Sequence, residues 1–220
     1  MLQVLKSTHP LTEFTPTWEI PFWHCQYDNA EGIRFIRNYI IDHEETIKRI
    51  TDDPKNDGGT GLGLDSLTAR YLNYNLFKIT RELPHFQKLY AFIQSEYKKF
   101  MNEYQAITRD CYFFSWANVV RQGQTIDKHG HGALNFSYLS GNMHLDNYKT
   151  ETIYYCPQDD EVTVKMPNIE GGLTFFPSYV LHEVPAHTED NKRVSLAFDL
   201  YDKQHYTKLD ETALDFNVNR

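Results

Sequence analysis

The chain is poor in cysteine, has no run of lysine or arginine and contains no long apolar stretch, and each absence narrows what it can be. Cys25, Cys111 and Cys156 are odd in number and show no C-x-x-C spacing, which argues against a disulfide framework and for buried, reduced thiols in a cytoplasmic protein. No segment approaches the roughly 18–20 consecutive apolar residues of a membrane span, and MLQVLKSTHPL lacks the apolar core of about 7–15 residues that marks a secretion signal. A soluble intracellular protein is therefore expected. With no basic run and a formal net charge of −8, non-specific attraction to a phosphate backbone is not expected either, so nucleic acid is an unlikely partner. No internal repeat or low-complexity tract is visible. The glycine-rich stretch DDPKNDGGTGLGLDS within residues 51–68 completes neither G-x-G-x-x-G nor a Lys-Ser/Thr phosphate loop, and reads as a surface loop or a lid over an active site.

What is present is length for one sizeable core and an aromatic composition suited to strands. The 220 residues include 14 Phe, 15 Tyr and 3 Trp, enough for a single domain with a mainly β core and flanking helices (α+β). Residues 1–110 are read as edge strands and supporting helices, 111–201 as the core and 202–220 as a C-terminal tail. Pro10, Pro16 and Pro21 limit the first part to short strands such as 17–22. Ile33, Ile36, Ile40, Ile47 and Ile50 recur at helical intervals behind Asp28 and Asn29, predicting a helix over 30–50. Leu83-Pro84 opens a second helix to about residue 105, with Phe86, Leu89, Ile93, Tyr97 and Phe100 on one stripe. Strands are expected at 111–120, 134–145, 152–155, 162–166, 173–176, 179–184 and 193–201, a succession that fits a jelly roll with helices on one side.

The chemistry concentrates between Asp127 and Leu200. In an extended segment His129 and His131 point to one face, and Gly130 and Gly132 keep the backbone slim. His182, some fifty residues on, would bring a third imidazole from another strand. Such a set with open positions suits non-haem iron. On RVSLAFDL, Arg193, Ser195, Ala197 and Asp199 share one face, and an Arg followed two residues later by Ser can clamp a carboxylate bidentately with an added hydroxyl. Trp116, Asn118, Asn135 and Tyr138 are candidate cavity residues.

Together, Gln122-Gly123, His129-x-His131, Leu139-Ser140-Gly141, Gly171-Gly172-Leu173-Thr174-Phe175-Phe176-Pro177-Ser178, His182 and Arg193-x-Ser195 resemble the Fe(II)/2-oxoglutarate-dependent oxygenases, in particular the prolyl-4-hydroxylase-like branch common in phage genomes. The resemblance covers about residues 111–201. It implies a double-stranded β-helix (jelly-roll, cupin-like) core, Fe(II) as metal, 2-oxoglutarate as cosubstrate and O2 as oxidant, with succinate and CO2 released as a C–H bond is hydroxylated. If the chain is phage-encoded, its compartment is the host cytoplasm. Carried over, His129 is the proximal and His182 the distal iron ligand, and Arg193 with Ser195 holds the far carboxylate of 2-oxoglutarate; Asn118 and Tyr138 are further cosubstrate contacts. The family's usual carboxylate is replaced by His131. That leaves a three-His site, a site completed by Asp127, or one in which His131 stands behind the ligands. A literal His-x-Asp occurs at His144-Leu145-Asp146 and ranks below His129/His131.

The leading expectation is thus a dioxygenase acting on a peptide, a protein or a metabolite. A cupin-like three-His dioxygenase or isomerase without 2-oxoglutarate, and a non-catalytic jelly-roll binding module, are the alternatives. Arg193-x-Ser195 favours the first over the second, and the three histidines favour either enzyme over the third.

Overall fold

The structure, a computed structural model, describes residues 1–7, 12–132, 138–157, 159–206 and 211–218. Its elements in chain order are β1 (Leu2–Lys6), β2 (Glu19–Gln26), α1 (Ala30–Ile50), α2 (Leu76–Ile79), α3 (Pro84–Glu103), β3 (Cys111–Val120), β4 (Ile126–His129), β5 (Leu139–His144), β6 (Glu151–Cys156), β7 (Asp159–Pro167), β8 (Gly172–Pro177), β9 (His182–Val184), β10 (Arg193–Asp202) and β11 (Leu214–Phe216). The strands form a seven-stranded sheet in the order β1-β2-β8-β5-β10-β3-β11 and a four-stranded sheet in the order β4-β9-β6-β7. Every pairing is antiparallel. This is the expected jelly roll, two sheets enclosing a cavity between them.

The two long helices cover the outer face of the larger sheet. Asn29 caps α1, its side chain accepting from the Gly32 amide at 3.0 Å, and Pro84 stands at the start of α3, where a missing N–H costs nothing. Ile33, Ile36, Ile40 and Ile47 of α1 and Phe86, Leu89, Ile93, Tyr97 and Phe100 of α3 form one apolar cluster with Trp23, Phe113, Phe175 and Phe198 of the sheet. Along β10, Val194, Leu196, Phe198 and Leu200 belong to this cluster, while Arg193, Ser195, Ala197 and Asp199 line the internal cavity. The strand period of two therefore divides β10 between fold and site. Phe198 stacks on Phe113 with ring centroids 5.2 Å apart and crosses Gly141, where an added Cβ would lie 2.2 Å from the ring. The glycine on β5 is what lets the ring in.

Some elements differ from expectation. β1 and β11 are short and carry weak alternation, so pairing with β2 and β3 rather than local sequence defines them; through β11 the C-terminal segment joins the larger sheet. Residues 68–70 form a single 3-10 turn and α2 a single helical turn, too brief for periodicity to register. Of the strand expected over 134–145, residues 139–144 form β5, and 133–137 lie outside the described residues. Within 179–184 only β9 is extended, because Val180 donates to the Pro177 carbonyl in a turn.

Candidate metal centre

His129, His131 and His182 converge, with one ring nitrogen of each within 4.8 Å of the others. Their placement rests on two backbone devices. β4 and β9 pair through Ile126 with Val184 and through His129 with His182, with an irregularity between; the extra residue in β4 is a bulge, a local re-aiming of the chain. β4 then ends, so His131 does not share a strand face with His129 as expected. It is held instead by its amide, which donates to the Ser178 carbonyl at 2.9 Å. Gly130 permits this close passage, since a Cβ there would lie 3.1 Å from Leu181.

Each imidazole spends Nδ1 on an acceptor. His129 faces the Asp127 carbonyl at 2.7 Å, His182 the Val180 carbonyl at 3.2 Å and His131 the Asp199 carboxylate at 2.8 Å. Donation from Nδ1 fixes the tautomer and leaves the Nε2 lone pair for a metal, the usual support of a ligating histidine. Burial holds His182 well below the ordinary imidazole value and lowers His129 to about 4, and the neighbouring rings act in the same direction. Neutral rings with a fixed free nitrogen are the form that binds a cation. The donor set therefore fits a borderline divalent metal such as Fe(II).

The other end of the cavity is built for an anion. Arg193 is buried, and its Nε and Nη1 have no hydrogen-bond partner. Among the described residues no carboxylate pairs with it, and its ring neighbour is Tyr148, 5.8 Å from the guanidinium. Burial lowers its pKa to about 10. A buried cation without a counterion is costly unless a ligand supplies one. Ser195 sits opposite Asn118 on β3 and His144 on β5, and Asn118 reaches Ser195 Oγ at 3.5 Å while accepting from Thr68 at 2.8 Å. Burial, and then Arg193, push the His144 pKa well below the usual value, so it adds no charge.

Both ends open into one cavity of about 90 Å³ that contains the three histidines, Arg193, Ser195, Asn118, His144, Asn142 and Asp199. Trp116 of β3 lines it too, and Asp57, Gly58, Thr60, Thr68 and Tyr71 form another part of its wall, so the glycine-rich loop borders the cavity. Asp57 shapes that loop by accepting from the Gly59 and Gly63 amides, and Arg70 braces it through the Leu64 and Ser66 carbonyls.

Tyr138 as a cosubstrate contact needs correction, while Asp127 as an alternative ligand and the lower-ranked His144/Asp146 pair find no support in the geometry. Tyr138 lies away from the cavity: its hydroxyl meets that of Tyr97 on α3 at 2.7 Å, and it lines a separate apolar pocket beside Phe100 and Met101. Asp127 is exposed and points elsewhere, accepting from Thr125 at 2.8 Å and lying against Gly61. His144 and Asp146 do not act as a pair, since His144 faces Arg193 and Asp146 meets Arg37 at 3.3 Å. Asn135 falls outside the described residues. Sequence reasoning missed Tyr71 and Asn142, and missed a role for Asp199 although it noted the shared face with Arg193. For Tyr71 no local signal existed; for Asn142, alternation with His144 on β5 was the available clue.

Residues 114–199 match the family model described as "Putative 2OG-Fe(II) oxygenase". The matched segment, most of β3 through β10, is thus similar to that family, whose metal and cosubstrate are Fe(II) and 2-oxoglutarate. No curated relative matches the chain. Among solved structures, a Pseudomonas putida prolyl-4-hydroxylase is similar at 12% identity and TM-score 0.55, over 82% of this chain and 92% of that one. The epimerase SnoN, solved with Fe3+, alpha ketoglutarate and nogalamycin RO, is similar at 12% identity and TM-score 0.56, over 82% and 78%. A Trichoplax adhaerens prolyl hydroxylase in complex with a hypoxia inducible factor peptide fragment is similar at 11% identity and TM-score 0.52, over 83% and 84%. At these identities the likeness shows a shared fold.

Proposed function

We propose that this protein is an Fe(II)- and 2-oxoglutarate-dependent dioxygenase that hydroxylates a C–H bond of a peptide, protein or small-molecule substrate. The observation that carries the reading is that three imidazoles with free Nε2 atoms and a buried, uncompensated guanidinium share one cavity. His129, His131 and His182 would hold Fe(II). Arg193, with Ser195 and Asn118 beside it, would hold the far carboxylate of 2-oxoglutarate, whose charge answers the guanidinium. When bound, the metal and the cosubstrate supply the oxidising chemistry, with succinate and CO2 as co-products.

The rest of the task falls to this chain's own residues. The carbonyls of Asp127 and Val180 and the carboxylate of Asp199 hold the three rings in one tautomer. The loop bearing Asp57, Gly58 and Thr60, with Tyr71, borders the cavity and would limit water at the reacting centre. Peptide and small-molecule substrates both occur among proteins of this fold, and a prolyl-hydroxylase-like activity is one form the reaction can take. Among the described residues no helix is long and apolar enough to cross a membrane. We assign the protein to the cytoplasm, where its three free thiols and a ferrous ion stay reduced.

Anaerobic titration of metal-free protein with Fe(II) and then 2-oxoglutarate tests this, followed by the visible metal-to-ligand charge-transfer band. The band should form in wild type and be lost in His129→Ala and His182→Ala, and Arg193→Ala should weaken 2-oxoglutarate binding. Iron binding with no response to 2-oxoglutarate would instead favour a cupin-like three-His enzyme. No metal binding would favour a non-catalytic module.

A further inference from the structure

A three-imidazole centre lacks the negative charge that a ligating carboxylate gives to Fe(II), and a carboxylate stands one hydrogen bond behind it. Asp199 on β10 is paired with Ser140 on β5. Its Oδ1 accepts from Ser140 Oγ at 2.6 Å and from His131 Nδ1 at 2.8 Å. Ser140 is in turn in contact with Ser178 Oγ at 2.9 Å, and the Ser178 carbonyl receives the His131 amide. The His131 ring and backbone are thus both tied to one short polar chain running across β5 and the turn after β8.

Both side chains of the His131–Asp199 pair are only 7% exposed, so little solvent screens the interaction. Among the described residues no lysine or arginine pairs with Asp199; His131 is its one basic partner. A buried carboxylate whose one basic partner is an imidazole carries a desolvation cost that this partner alone does not meet. A divalent cation on the far nitrogen of His131 meets it. Asp57, the other carboxylate bordering the cavity, is partly exposed and committed to the loop amides.

We propose that Asp199 is a positioning residue that supplies, through His131, the negative charge a ligating carboxylate would otherwise give, so that this three-imidazole centre retains Fe(II). The inference rests on the metal-centre reading above. With it the cavity's formal charges balance: the two positive charges of the ferrous ion and the one of Arg193 meet the 2-oxoglutarate dianion and Asp199. Charge donated through the imidazole raises its basicity as a ligand.

The test is Fe(II) affinity, measured anaerobically by competition with a chromogenic chelator, with metal-free melting temperature recorded alongside. Asp199→Asn retains an oxygen that can accept from His131 and Ser140 and removes only the charge. It should weaken Fe(II) binding about 10- to 100-fold, the range for groups that support a ligand. In a His131→Asp background, where the carboxylate stands at the ligand position itself, Asp199→Asn should no longer weaken binding, because the second carboxylate there only repels the first. Affinity unchanged in Asp199→Asn, or an equal loss in both backgrounds, would overturn the proposal while leaving the metal centre intact. Wild type without Fe(II) binding would remove the metal-centre reading itself. Should Asp199→Asn fail to fold, Asp199→Glu against Asp199→Gln compares charge at equal size, and equal affinities there would also overturn it.

Discussion

The two faces of β10 differ in what their residues are for. Towards the helices lie Val194, Leu196, Phe198 and Leu200, in contact with apolar partners; towards the cavity lie Arg193, Ser195 and Asp199, buried polar groups of which Arg193 is left unsatisfied. One face lowers the free energy of folding through burial, and the other raises it by keeping polar groups from water. A strand carrying both shows that the site is maintained at the expense of stability supplied one residue away.

The largest effect that would sharpen this contrast is on the apolar face. Phe198→Ala removes a ring packed against Phe113 and Phe175 at centroid distances of 5.2 and 5.4 Å. It should cost about 3–5 kcal/mol in urea unfolding, with Fe(II) affinity of the folded protein unchanged. An equal loss of metal binding would mean that the faces are not separable.

Arg193→Met gives the opposite pattern. Losing the charged partner of a buried carboxylate costs about 2 kcal/mol or more, so 2-oxoglutarate affinity should fall at least roughly 30-fold by calorimetry. Metal-free stability should hold or rise, because an apolar side chain removes an unpaired buried charge. A clear drop in stability would mean that Arg193 is a structural group.

How much of this contrast could be read beforehand follows from the range of each interaction. The stripes of α1 and α3 and the alternation along β3 and β10 are local patterns, and they gave helices, core and the inward Arg193-Ser195 face nearly to the residue. His182 was legible only in combination, through the resemblance carried by the whole set of motifs and not by its own neighbours. The reason His131 joins it was not, because the bulge in β4 and the tether to Ser178 are pairings between distant segments. Tyr138 illustrates the reverse error: an aromatic beside a candidate site turns to the helix side, where Tyr97 offers its hydroxyl a partner. Asp199 was visible on the right face, yet its partner His131 lies 68 positions away.

Lowering the pH should act on the cavity side. His144 is held neutral by burial and by Arg193, and burial also lowers His24 to about 4. Each takes up a proton on unfolding once the pH falls below the ordinary imidazole value near 6.5. The unfolded state then binds more protons, so stability rises with pH up to that value and is lost below it. Metal-free wild type should therefore melt progressively lower from pH 6.5 towards 5. His144→Gln should reduce that slope by up to about 1.4 kcal/mol per pH unit, and Phe198→Ala should shift the curve without changing its slope. An unchanged slope in His144→Gln would show that this imidazole is protonated in the folded state.

The smallest expected effect decides between two carboxylates. Asp127 is two residues from His129 in sequence, closer than Asp199, and is the obvious substitute for a missing acidic ligand. Yet its carboxylate accepts from Thr125 and lies where a Cβ on Gly61 would come within 2.3 Å. Gly61 also has φ +72, a conformation that favours glycine, so this close approach belongs to the folded loop. Asp127→Ala should leave Fe(II) affinity at its wild-type value, the carbonyl that orients His129 being backbone and untouched. A loss as large as that of His182→Ala would make Asp127 the anionic ligand after all. The charge at the centre would then come from the loop side of the cavity, and Asp199 would reduce to a partner that merely holds a ring in place.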